Sequence, residues 1–389
     1  MLEGNKMKTA TSPVMIGDGA ARAARKYISQ NFAEKSVLAV CDTNTEPIAK
    51  EVFDGIERFA FPGDVIADPE LASPLSERAA AKKCLIAVGS GTVHDLVRHT
   101  AHELGIPFIS FPTAPSVDGF ASSVAAMTVS GQKVTFPSSP PVALFAEPEI
   151  FAHAPANLSA AGVGDMLGKY ISLFDWRVAN IVIGERIDGQ IYALEQSALE
   201  KVAKAEPGSR EFAVRLMGAL VTSGLAMQAA GNSRPASGSE HHLSHLWEMH
   251  CINEPTAALH GEKVGVATLL LLNRYRSLEK FILRKNRYER EYLLPAFGKL
   301  TDGIIRENLP DPLSGLTQKT LDDKKGELQN AISLLPEPDF VRGLMASCGC
   351  KMTLASVGLP DTPEFVSKSL EFAPYVRRRV TMLKLCHIG

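Results

Sequence analysis

From Ala20 to Phe145 the chain alternates short apolar runs with longer amphipathic stretches. Val37–Val40 ends at Cys41-Asp42, Cys84–Val88 ends at Gly89, and Ile106–Phe111 ends at Pro112. Apolar runs of this length, bounded by turn residues, predict strands covered on both faces. Ala20–Asn31 and Val93–Leu104 carry their apolar residues at helical spacing. Strand, turn and helix in repetition predict βαβ units and a parallel sheet. Val124–Val129 and Val134–Phe136 around Gly131 predict a hairpin or an extension of that sheet, and Val142–Phe145 one more short strand.

After residue 156 the texture changes. Long helical patterns take over at Ser159–Val178, Ile191–Ala205, Glu211–Ala230, His260–Arg276 and Asp339–Ser347. The reading is an α/β domain over residues 1–155 and an all-α domain over 156–389, with Pro137–Pro141 and Pro148–Pro155 punctuating the passage. Gly303–Gly326, polar and proline-containing, reads as surface loop and helix.

Composition narrows the function classes. A chain of 389 residues has room for two domains, and 45% hydrophobic with 22% charged residues is the make-up of an ordinary globule. The net charge of -2 leaves no basic surplus for nucleic acid or an anionic membrane, while small anionic substrates stay open. The longest apolar run, Val264–Leu272, is about half a membrane span and is broken by Gly265 and Thr268. MLEGNKMKTATSP lacks the apolar core of a secretory leader, and the six cysteines form no CxxC pair. A cytoplasmic chain with free thiols is expected.

The densest chemistry is SRPASGSEHHLSH, residues 233–245. In a helix starting near Glu240, His241 and His245 share one face and His242 points elsewhere. His260 follows in LHGEKVG, and Asp165 sits far upstream in AGVGDMLGKY, read as a helix start. One acid and two histidines make a three-ligand set that leaves a metal position open. Each of these residues also suits a structural role. Asp165 with Lys169 at i+4 suits an exposed ion pair, and single helical histidines suit core or surface.

Two N-terminal segments carry further candidates. VGSGTVHDLV, residues 88–97, places Gly89, Gly91 and Thr92 between a strand and a helix, where backbone amides can meet a diphosphate or simply turn the chain. Asp95 suits the loop, a cofactor or the helix N-terminus. Asp42 suits an adenosine ribose, favouring NAD over NADP, or a cap in DTNTEP. In FPTAPSVDGFASS, Thr113, Ser116 and Ser122 can donate to a nicotinamide or phosphate, and Asp118 can hold a polyol hydroxyl. The same residues suit Asx and Ser turns. Arg377, Arg378 and Arg379 suit a substrate phosphate or a solvated helix face.

GSGTVHD, FPTAPSVDGFAS, GVGDMLGK, SRPASGSEHHLSH and LHGEKVG, in this order, resemble the glycerol-1-phosphate dehydrogenase family, within the iron-containing alcohol dehydrogenase and dehydroquinate synthase-like superfamily. The resemblance implies an N-terminal Rossmann-like domain, an all-α C-terminal domain and a cleft between them. It implies one divalent metal, zinc, nickel or iron, on Asp165, His241 and His260. It implies NAD or NADP contacts at Asp42, Gly91, Thr92, Val93, His94, Asp95, Thr113, Ala114, Pro115, Ser116 and Ser122. It implies substrate contacts at Asp118, Asp165 and His245, with Asp165 and His245 the catalytic pair. Lys169 is a further candidate for an anionic contact.

The implied reaction is hydride transfer between a nicotinamide and C2 of dihydroxyacetone phosphate or glycerol 1-phosphate, assisted by the metal. The expected partners are a small phosphorylated triose or polyol and further copies of the chain, as a dimer or larger homo-oligomer. No nucleic acid and no membrane span are expected. The alternatives are a dehydroquinate synthase-like lyase or cyclase, a dehydrogenase of an unphosphorylated polyol such as glycerol, and a homologue without activity. Loss of a metal ligand would mark the last, and all three ligands are present.

Overall fold

In the computed structural model, described here over residues 9–129 and 132–388, six strands pair in parallel. They are β1 (Val14–Ile16), β2 (Val37–Asp42), β3 (Glu57–Phe61), β4 (Cys84–Gly89), β5 (Phe108–Pro112) and β8 (Ala143–Ala146), in the order β1-β8-β5-β4-β2-β3. β6 (Val124–Val129) and β7 (Gln132–Pro137) form a separate antiparallel pair, so this segment is a hairpin and not an extension of the sheet. Gly131 itself lies outside the described residues.

β2, β4 and β5 are buried along their whole length, and alternate residues feed two layers. Val37, Ala39, Cys41, Ile86 and Val88 pack with α1 (Ala20–Asn31) and α2 (Glu46–Val52). Leu38, Val40, Leu85 and Ala87 pack with α3 (Ser73–Ala79) and α4 (Gly91–Glu103). Each fully buried aliphatic side chain contributes roughly 1.5–3 kcal/mol. The edge strands β1 and β3 escape the sequence pattern. β1 has three residues, and β3 reads ERFAF with partly exposed charges. β2 lies between β3 on one side and β4 on the other, so the winding reverses beside the carboxyl ends of β2 and β4, where such sheets bind ligands.

The remaining helices include α5 (Pro148–Phe151), α6 (Ala156–Leu167), α7 (Lys169–Ile183), α8 (Gly189–Ala203), α9 (Arg210–Ala230), α10 (Ser239–Glu248) and α11 (His260–Arg276). Packing divides the chain into one unit ending at Gly162 but regaining Ser197–Asn232, and a second of Val163–Gln196 and Ser233 onward. The single cut expected after residue 155 falls close to the first junction but misses the return of Ser197–Asn232 to the sheet-bearing unit. α9 is long and apolar enough to cross a membrane by length and composition. Its Met217, Val221 and Leu225 are instead buried with Phe120, Leu144 and Phe151 in the first unit's core.

The helix expected over Ser159–Val178 is two helices, broken at Gly168. Asp165 therefore lies in the last turn of α6, not at a helix start. The glycines before it mark close approach instead. A Cβ on Gly162 would lie 1.9 Å from the Pro115 carbonyl oxygen, and one on Gly164 would lie 2.2 Å from that of Gly261. Gly303–Gly326 is loop and helix as expected, running from within helix Thr301–Asn308 through a loop and helix Gln318–Asp323.

Candidate active site

The turn before α10 is fixed by a buried acid. Asp175 Oδ2 accepts from the Ser239 backbone N–H and hydroxyl, both at 2.7 Å, and Oδ1 accepts from the Met382 N–H at 2.7 Å. Tyr275 adds its hydroxyl to Ser239 Oγ at 2.8 Å. Gly238 has no room for a Cβ, which would sit 2.8 Å from both Asp175 Oδ2 and the Ser172 Cα. Burial pushes the Asp175 carboxyl up to about 6.

From this start α10 aims His241 and His245 along one face, their ring centroids 5.8 Å apart. His260 opens α11, with its ring 5.3 Å from that of His241 and 5.5 Å from that of His245. α6 and α11 meet backbone to backbone through Gly164, Gly261 and Gly265, which sets Asp165 beside them. Asp165 Oδ1 lies 3.7 Å from His241 Nε2, and the ligand atoms of Asp165, His241 and His260 all lie within 4.8 Å of one another. Two ligands about 2.1 Å from a tetrahedral ion stand roughly 3.4 Å apart, so the set fits one divalent cation. A carboxylate with two imidazoles suits zinc, nickel and iron by softness.

Sequence reading missed the acids behind the rings. Glu240 Oε1 accepts from His241 Nδ1 at 2.7 Å, and Glu248 Oε1 from His260 Nδ1 at 2.9 Å. The available signal was an acid one residue before His241 and another three after His245. Burial works to raise Asp165, but the positive charge of Lys169 and the neighbouring His241 and His260 hold it well below the carboxylate range. Burial likewise opposes Glu248, and His260 and Lys263 hold it low. His245 keeps a partly exposed edge within dense protein, and desolvation lowers its pKa far enough to keep the ring neutral. His242 is fully buried and pushed far down by desolvation and by Arg379, a neutral core histidine.

Two expectations change. Lys169 is fully buried and donates to Asp165 Oδ1 at 2.8 Å, so the pair is internal rather than exposed and its ammonium is not open to a substrate anion. Arg377, Arg378 and Arg379 do not form a helix face. Arg377 meets Glu307 at 3.4 Å, Arg378 donates to the Pro310 carbonyl at 3.0 Å, and Arg379 donates to Ser233 Oγ at 3.0 Å and to the Ser237 carbonyl.

In the first unit the candidate residues gather at the carboxyl ends of β2, β4 and β5. Asp42 Oδ1 accepts from the Thr45 N–H at 2.8 Å, and the Thr45 hydroxyl lies 2.9 Å from Asp42 Oδ1 and 3.0 Å from the Val88 carbonyl. Asp42 thus fixes the turn after β2, and Thr45 ties that turn to β4. Gly91 and Thr92 open α4 with partial exposure, whereas Val93 is core. His94 is core as well. Its Nδ1 donates to the Ser90 carbonyl and its Nε2 accepts from Ser110 Oγ, both at 2.9 Å, and burial pushes it down to about 3. The side chains of Val93 and His94 are thus packed in the core. Asp95 holds Arg98 at 2.6 Å.

Thr113, Ala114, Pro115 and Ser116 are buried after β5, and among the described residues Ser116 Oγ has no hydrogen-bond partner. Ser122 caps its own turn, with Oγ 3.0 Å from both the Val124 N–H and carbonyl. Asp118 Oδ2 accepts from Ser223 Oγ of α9 at 3.1 Å, a partner more than a hundred residues away that spacing could not reveal.

This doubly wound sheet matches known proteins in kind. Residues 15–155 match the family model described as iron-containing alcohol dehydrogenase. A crystal structure of glycerol dehydrogenase from Schizosaccharomyces pombe, 18% identical, aligns with a TM-score of 0.64 over 98% of this chain and 86% of that one, and shows the same fold. The sequence relatives are more specific. A Bacillus licheniformis protein named glycerol-1-phosphate dehydrogenase [NAD(P)+] is 38% identical over 75% of this chain and 76% of its own length. A protein of the same name from Bacillus velezensis is 36% identical over 98% of this chain and 94% of its own. The chain belongs to the glycerol-1-phosphate dehydrogenase family.

Proposed function

We propose that the chain is an NAD(P)-dependent sn-glycerol-1-phosphate dehydrogenase that reduces dihydroxyacetone phosphate at C2 and runs in reverse on glycerol 1-phosphate. The observation that carries this reading is the convergence of Asp165, His241 and His260 beside His245, in a chain 38% identical to a protein of that name. A divalent ion held by those three residues would supply Lewis acidity at the C2 oxygen. Zinc, nickel and iron all suit the donor set.

The chain's own groups divide the remaining work. His245, a neutral imidazole with an accessible edge, hydrogen-bonds the substrate oxygen and relays its proton. Gly91 and Thr92 at the N-terminus of α4 offer amides to the cofactor diphosphate. Asp42 accepts from the adenosine ribose, Thr113, Ser116 and Ser122 border the nicotinamide, and Asp118 takes a polyol hydroxyl. On this reading the enzyme is cytoplasmic and acts as a homo-oligomer. Six free cysteines accord with a reducing compartment.

The test is oxidation of NADH and of NADPH with dihydroxyacetone phosphate, on chelator-stripped protein with zinc, nickel or iron restored in turn. The expected result is metal-dependent oxidation that dihydroxyacetone does not match and that Asp165→Asn lowers by roughly 10³-fold. Equal rates with the unphosphorylated ketone would reassign the substrate. No oxidation of either cofactor would remove the dehydrogenase reading, and metal-dependent turnover without NADH change would favour the lyase.

A further inference from the structure

We infer that Glu240 and Glu248 are positioning residues, one for each metal-binding imidazole; the inference rests on the metal site proposed above. A carboxylate only accepts hydrogen bonds. Glu240 Oε1 at 2.7 Å from His241 Nδ1, and Glu248 Oε1 at 2.9 Å from His260 Nδ1, therefore place the proton on Nδ1 of each ring. Each Nε2 is left as a lone pair. That of His241 faces Asp165 Oδ1 at 3.7 Å. The negative charge behind each ring raises its donor strength.

Both acids are themselves anchored. Glu240 Oε1 also accepts from the Gly238 N–H at 2.8 Å, which joins the ring to the turn that starts α10. Glu248 Oε1 lies 3.5 Å from Ser244 Oγ and 3.8 Å from Lys263 Nζ. Both carboxylates are buried, at 0% and 7% exposure, and a buried acid without such partners is costly. The two pairs differ in reach. Glu240 and His241 are chain neighbours on α10, whereas Glu248 crosses from α10 to α11 and so sets the spacing of the two helices that carry the histidines. Glu248 should matter more.

Glutamine keeps an acceptor and removes the charge. Methionine keeps the volume and removes both. Zinc affinity of the stripped full-length protein, measured by competition with a chromogenic chelator, should fall by about tenfold in Glu248→Gln and roughly 100-fold in Glu248→Met. The Glu240 variants should follow the same order with smaller losses. NADH binding, followed by fluorescence, should stay at wild-type affinity. A packing role predicts wild-type zinc affinity in the methionine variants, and that result overturns the inference. His241→Ala and His260→Ala separate the two claims. If they lose zinc while the glutamate variants keep it, only the positioning role falls. If they too keep it, the metal site falls. Should a variant fail to fold, nitrogen-15 spectra of the wild-type apo protein decide. His241 and His260 should both be Nδ1–H tautomers, and an Nε2–H tautomer at either overturns its pair.

Discussion

The candidate side chains of the two units find different partners. In the sheet-bearing unit several candidate side chains lean on backbone, although Asp95 holds the buried Arg98. Asp42 caps Thr45, Ser122 caps Val124, and His94 spends one nitrogen on the Ser90 carbonyl. In the helical unit the buried acids lean on an ammonium or an imidazole. Lys169 meets Asp165, Glu240 meets His241, and Glu248 meets His260. A backbone-capped loop can present amides to many ligands that carry a diphosphate. A set of buried paired charges is tuned to one added charge, and removing any member leaves its partner stranded.

That contrast ranks the expected damage. Lys169→Met strands a fully buried carboxylate and should cost the chelated protein roughly 3–5 kcal/mol, the largest effect. Zinc should restore more stability to this variant than to wild type, because Asp165 no longer shares Oδ1 with an ammonium. Thermal denaturation with chelator and with zinc measures both numbers, and an unchanged gap would break the comparison.

His94→Gln probes the other unit. Burial lowers the His94 pKa from about 6.5 to about 3 in the folded state. A lowered pKa gives stability that is present above pH 6.5 and lost as pH falls toward 3. The advantage of wild type over the variant should therefore shrink by roughly 3 kcal/mol between pH 7 and pH 4, read by urea denaturation. A constant difference would show that His94 is not held neutral by the core.

How much of this was legible follows from which forces are local. Central strands and helices such as Ala20–Asn31 and His260–Arg276 show in the hydrophobic period because burial on known faces dictates it. β1 and β3 do not, because β1 is only three residues long and β3 opens with the partly exposed Glu57 and Arg58. Gly162 and Gly164 read as a helix start, yet they are contact points on α6 that only the neighbouring Pro115 and Gly261 carbonyls explain. The convergence of Asp165, His241 and His260 was expected from family resemblance alone, since no spacing rule links Asp165 to the two histidines. Glu248, Ser223 and Asp175 stayed hidden because each acts on a residue of another element.

The smallest effect tests whether the backbone-capped unit reads charge at all. Asp42→Asn keeps an acceptor at Oδ1 for the Thr45 N–H and hydroxyl, so stability should change by less than about 1 kcal/mol. Only the charge is lost. At the end of β2, beside the winding reversal, a carboxylate would repel the 2′-phosphate of a bound NADPH and would accept from the free ribose hydroxyls of NADH. Two such charges about 6 Å apart near a surface interact by roughly 1 kcal/mol or more. The ratio of kcat/KM for NADH over NADPH should then fall by about tenfold, with the zinc affinity of the other unit untouched. An unchanged ratio would mean that Asp42 serves the turn alone.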